Sequence, residues 1–195
     1  MQQHLTPWMV ESAYRYLTAA KHLRRGHDML DITQINAAIG MEILLKSFVS
    51  KPNGKLGQVD ETYELDYGVI KSAHEHLKTA DRIPAYRKDK PPNKHDLLTL
   101  FDAIPEPIRR RIRLDRHEHW IDKDREVFTN ARYQYENGAA KGYDDILIGV
   151  LDELIEHVVH WYRELGCKDI FIVCYGMPPL ELLPDADQDS NLATD

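Results

Sequence analysis

The sequence predicts an all-α fold: a bundle of four or five main helices, followed by a short C-terminal strand and an acidic tail. Three observations carry that expectation. Leu147, Leu151, Leu154, Ile155, Val158, Trp161, Tyr162 and Leu165 recur at helical spacing up to Gly166, tracing one apolar helix face over several turns. Similar stripes occupy the start of the chain and residues 33–49. Only one run, Asp169–Tyr175, has the β-branched and aromatic density of a strand.

Taken in order, Thr6 and Pro7 read as the N-cap and first residue of a helix that carries Val10, Ala13, Tyr14, Leu17 and Ala20 to about Arg25. Residues 33–49 place Ile35, Ala38, Ile39, Ile43 and Val49 on one stripe, with Glu42 and Lys46 one turn apart along its margin. A long connection from Ser50 to Asn93 contains a helical piece at Val69, Ile70, Ala73 and Leu77. His95 and Asp96 then cap a short helix that Pro105 ends, and an arginine-rich segment follows. A further helix from Glu118 to Glu136 presents Trp120, Ile121, Phe128, Ala131 and Tyr135. The strand at Asp169–Tyr175 must find a partner edge, in the domain or in a second copy. Residues 1–177 thus form one helical domain, and residues 178–195 a disordered tail too poor in apolar residues to fold alone.

Composition narrows the function classes. A 195-residue chain buries enough surface to need no covalent staple, and two cysteines, Cys167 and Cys174, fit neither a disulfide framework nor a zinc site. Free thiols point to a reducing compartment, the cytoplasm. No signal peptide or membrane span is read from the apolar runs, so no membrane association is expected. The formal charge is −7, but Glu181, Asp185, Asp187, Asp189 and Asp195 sit in the tail without a cation, leaving the body nearly neutral. That argues against a broad basic surface for duplex binding.

Four segments carry a family resemblance by their order: AYRYLTAAKHL, AAIGMEILLKSF, HDLLTLFDAIP and FTNARYQYE before the last long helix. The chain resembles the HEPN family over roughly residues 8–165. The resemblance implies a dimerising helical bundle that acts on or binds RNA or nucleotides. Catalytic members resemble one another in an Arg followed, four to six residues on, by a His near a helix start at the dimer interface. They are metal-independent endoribonucleases. Arg and His at that spacing can meet one phosphate, the guanidinium bracing its charge while the imidazole handles a proton. Here Arg132 stands where the family's Arg would be, and the His positions hold Asn137, Gly138 and Ala139. Arg15 with His22, Arg110 and Arg111 with His117, and Arg113 with His119 have the same spacing, a number close to chance for thirteen arginines and ten histidines.

Around Arg132, Tyr133 and Tyr135 offer stacking faces or hydroxyls, and Glu136 is the group that could replace the absent imidazole as a base if burial raised its carboxyl. The plainer reading pairs Arg132 with Glu136 one turn apart. Glu42 either pairs with Lys46 or reaches across the bundle to hold Arg132. Arg110 and Arg113 belong to the densest basic patch, Arg109 to Arg116, which with His117, His119 and Trp120 would suit single-stranded nucleic acid. Interleaved Asp115, Glu118, Asp122 and Asp124 favour a self-paired surface instead. No metal motif and no glycine-rich phosphate loop is present, and no cofactor is implied.

The function expected is an HEPN-like module, non-catalytic for want of the His, that binds RNA, a nucleotide or a protein partner through the surface around Arg132 as a homodimer. Two alternatives stay open. One is a metal-independent endoribonuclease of toxin–antitoxin or phage-defence type, with Arg132 on the phosphate and Glu136 or a tyrosine in the histidine's place. The resemblance would give such a protein a nucleotidyltransferase-type antitoxin as partner. The other is a structural adaptor that docks through the C-terminal segment.

Overall fold

The computed structural model describes residues 5–55, 58, 61–127 and 144–177. Among them the architecture is all-α with one small hairpin. Helices α1 (Pro7–Leu23) and α2 (Leu30–Ser47) pack as an antiparallel pair. Strands β1 (Ser50–Pro52) and β2 (Tyr63–Leu65) pair antiparallel, with Ser50 opposite Leu65 and Pro52 opposite Tyr63. Helix α3 (Tyr67–Thr79) follows at once, capped by the Asp66 carboxylate, which accepts from the Val69 N–H at 3.3 Å. Short helices α4 (Leu97–Ala103), α5 (Glu106–Arg111) and α6 (Glu118–Lys123) come next, then the long α7 (Ile146–Glu164) and a last short helix α8 (Ile170–Cys174). No helix among the described residues is long and apolar enough to cross a membrane.

The core lies where α1, α2, α4 and α7 meet. Leu17, Met41, Leu45, Leu98, Leu151, Leu154 and Val158 have no exposed surface there. Two devices set how closely the helices approach. At Gly40 a Cβ would stand 2.7 Å from Leu151 Cδ2 and 3.1 Å from the Ala13 carbonyl oxygen, so α2 can lie against α1 and α7 only with no side chain at that position. At one end, Thr6 Oγ1 donates to the Ser47 carbonyl at 3.0 Å and lies 3.3 Å from the buried Tyr162 hydroxyl, tying α1, α2 and α7 together.

Five expectations are corrected. Thr6 occupies the N-cap position of α1, but its hydroxyl serves Ser47 and Tyr162 and makes no cap bond. The inward face of α2 is Ala37, Ala38, Met41, Leu44 and Leu45, while Ile35, Ile39 and Ile43 are only half-buried. Small residues let the backbones close up, which rotates the isoleucines off the core. The long connection after Ser50 holds the helical piece expected at Val69–Leu77, as α3, and in addition the β1–β2 hairpin, which was not expected. The helix expected over Glu118–Glu136 is interrupted after Lys123, because Arg125 turns back: its carbonyl accepts from the Leu97 N–H at 3.0 Å and its side chain binds Asp96, while residues 128–136 lie outside the described residues.

The fifth correction is the largest. Asp169–Tyr175 forms no strand; residues 170–174 are helix α8. The Asp169 carboxylate caps it through the Ile172 N–H at 3.2 Å. From α7, the Arg163 guanidinium donates to the carbonyls of Ile172 at 2.7 Å, Val173 at 3.1 Å and Tyr175 at 2.6 Å. Both ends of a short helix are thereby satisfied, which outweighs the strand propensity of Ile170, Phe171 and Val173.

Candidate functional site

Glu42 is a carboxylate carried almost fully inside by α2, with 8% of its surface exposed. Such a group needs partners. Its Oε1 accepts from Lys46 Nζ at 2.5 Å, one turn along the helix, and lies 2.8 Å from Nδ1 of His95. An ionised carboxylate only accepts, so Nδ1 of His95 is the donor in this pair. His95 sits in the turn before α4, and that turn is fixed. The His95 N–H donates to Asn93 Oδ1 at 3.1 Å, and the Asp96 N–H to the Asn93 carbonyl at 3.1 Å.

Asp96 anchors the turn from the other side. Arg125 donates to it through Nε at 2.9 Å and a terminal nitrogen at 2.6 Å, and a further nitrogen reaches the Arg82 carbonyl at 2.7 Å. Burial opposes the guanidinium charge, but the bonds and charge of Asp96, with Asp122 and Glu126 beyond, hold its pKa above the ordinary arginine value. Asp96 also accepts from the Thr99 hydroxyl at 2.6 Å, so its carboxylate is spent on Arg125 and Thr99 and not on the cap bond expected of it. Glu42, Lys46 and His95 therefore form a rigid polar cluster: an imidazole oriented by a carboxylate, beside an ammonium. The aligned imidazole has the geometry of an acid–base group, and the ammonium that of an anion contact.

Arg132, Tyr133, Tyr135 and Glu136 lie outside the described residues. The partners described for Glu42 are Lys46 and His95. In the arginine-rich segment, Arg109 binds Asp115 at 3.0 Å and lies with its guanidinium carbon 4.7 Å from the Phe101 ring centre. Arg110 pairs with Glu106, and Arg111 with Glu164. Arg113, in a left-handed backbone conformation at φ 58°, has no ion-pair partner among the described residues. Of the histidines at motif spacing, His117 faces Glu153, with 3.5 Å between Nε2 and Oε2, and His119 packs edge-on against Trp120. The arginines spaced for His117 are thus committed elsewhere. No group of three or more His, Cys, Asp or Glu able to hold a metal ion occurs among the described residues.

Beside the segment at 128–143 stands a carboxylate that the sequence placed among the self-paired surface acids and the structure buries. Asp124 is 6% exposed, its Oδ2 has no hydrogen-bond partner among the described residues, and burial followed by the nearby Asp144 pushes its pKa up to about 6. Arg125 was missed. Nothing local marks it, since Asp96 lies 29 residues away. Set beside models of protein families, curated proteins and solved structures, the chain matches none.

Proposed function

We propose that this chain is an HEPN-like helical module that binds RNA or a nucleotide, without turning it over, at the polar face where Glu42, Lys46 and His95 meet, with Arg132 as a second contact to phosphate. The observation that carries the reading is the Glu42 carboxylate shared by Lys46 and His95 at 2.5 and 2.8 Å. It holds the Lys46 ammonium beside the His95 ring at the margin of the bundle, where the remaining N–H groups of the ammonium can meet an anion. We place the module in the cytoplasm, a compartment that suits its two free thiols. A homodimer is part of the proposal. Ile32, Ile35 and Ile39 follow one another at helical spacing on the side of α2 turned away from the core, and Ile32 is 39% exposed. A helix apolar on both faces is one that a second surface covers.

A second reading is favoured by the same pair. The carboxylate fixes the tautomer of His95 as in an acid–base dyad, so in a metal-independent endoribonuclease His95 would supply the imidazole that residues 137–139 lack. One experiment separates the two. Labelled single-stranded RNAs and mononucleotides are titrated with the full chain in the presence of a chelator, beside Arg132→Ala, Lys46→Gln and His95→Ala. The proposal expects binding with no cleavage, weakened roughly ten-fold or more by each change. Cleavage that His95→Ala abolishes makes the second reading the right one. Absence of any binding removes both.

A further inference from the structure

The first turns of α1 and the whole of α8 enclose a two-lobed cleft that the polar cluster does not use. The larger lobe, about 600 Å³, lies between Trp8, Tyr14, Phe171 and Tyr175. The smaller, about 440 Å³, runs past Leu5, Pro7 and Cys167. Trp8, Gln58, Lys168 and Asp169 line both, so they mark the waist where the lobes meet. Volumes of this size are in the range of small-molecule sites, and the walls mix aromatic rings with charged and polar groups.

The walls are preformed. The Tyr14, Phe171 and Tyr175 ring centres lie 5.3, 5.4 and 5.7 Å apart, tilted or edge-on, and each ring is half-buried. Arg163 holds α8 in place from behind. Burial, then Asp152, push the Tyr175 hydroxyl up to about 12, so it remains a donor at neutral pH. Three carboxylates line the cleft: Glu11 pairs with Arg15 at 2.6 Å, Asp169 caps α8, and Glu61 stands in the smaller lobe. Lys168, at the waist, is exposed and has no ion-pair partner among the described residues.

We propose that the cleft binds a small molecule built of a planar aromatic ring and one anionic group, the ring seated among Trp8, Tyr14, Phe171 and Tyr175 and the anion on Lys168. Aromatic carboxylates and nucleoside monophosphates share that chemistry. Aromatic walls stack a planar ring, and an uncommitted ammonium within reach of it selects for negative charge. The site uses none of Glu42, Lys46, His95 or Arg132, so it stands or falls separately from the polar face.

The test is saturation-transfer NMR on the full chain with two panels, indole-3-carboxylate with 4-hydroxybenzoate, and the four ribonucleoside monophosphates. Transfer to the ring protons of one panel is expected, and the responding panel names the source. Affinity should fall at least about ten-fold in both Lys168→Glu and Tyr175→Ala, and in the uncharged analogue, indole or nucleoside. Lys168→Glu is a surface change expected to keep the wild-type melting temperature, so its loss of binding cannot be unfolding. No transfer from either panel at millimolar ligand, unchanged affinity in both variants, or equal affinity for the uncharged analogue would overturn the proposal.

Discussion

Arg125 grips Asp96 through both carboxylate oxygens, at 2.9 and 2.6 Å, although the two residues belong to segments 29 positions apart. The pair is nearly dry, with side-chain exposures of 13% and 6%. It sets the turn that presents His95 to Glu42. Removing one partner of a buried pair strands the other, so Arg125→Ala should cost roughly 3–5 kcal/mol in denaturant unfolding. Replacing both at once, as in Asp96→Leu with Arg125→Met, should cost clearly less. A double variant as damaged as the single one would show that the pair does not act as a unit.

Asp124 gives the fold a pH dependence whose sign follows from its environment. Its ordinary value is 3.8 and its folded value about 6, so the folded chain holds the proton more tightly than the unfolded one. Its contribution to stability is complete below about pH 4 and is lost as pH rises through 6. Asp124→Asn, neutral throughout, should therefore stabilise the protein by roughly 1–3 kcal/mol at pH 7.5 and leave it unchanged at pH 4. Equal effects at both pH values would refute the assignment.

Helix α8 depends on a single side chain from α7. Arg163→Met keeps the aliphatic length and removes three bonds to carbonyls. Hydrogen exchange of the Ile172 and Val173 amides should quicken roughly ten-fold or more, by local opening worth about 1–3 kcal/mol, while amides in the middle of α7 keep their protection.

Two glycines in helices should respond oppositely. Gly40→Val drives a side chain into Leu151 and the Ala13 carbonyl and should cost about 1–3 kcal/mol. Gly149, in α7, has nothing within 4 Å of an added Cβ, so Gly149→Ala should gain roughly 0.5–1 kcal/mol. Thermal melts of the two variants check both signs.

The long helices α1 and α7 were legible because a 3.6-residue period survives in their apolar residues, whereas α2, apolar on both faces, was legible as a helix but not in which face it buries. The stop at Gly166 was legible because only a residue tolerant of φ +79° closes α7 that way. What escaped the sequence was decided at a distance. Asp169 and Arg163 made a helix of a strand-like run, and Arg125 ended α6 early. Glu42 was rightly suspected of needing a partner, but His95 stands 53 residues away. The aromatic cleft was hidden for the same reason as α8, since a strand would set Phe171 and Tyr175 about 13 Å apart along one face, while the helical turn brings their ring centres to 5.7 Å.

The two cysteines differ in a way that chemistry can use. Cys174 is exposed on the lip of the cleft, while Cys167 is half-buried and its thiol is pushed up by burial. Alkylation at neutral pH should therefore discriminate between them. A fluorophore or spin label coupled to Cys174 would sit at the mouth of the cleft and report on whatever enters it, while the helices beneath go unlabelled.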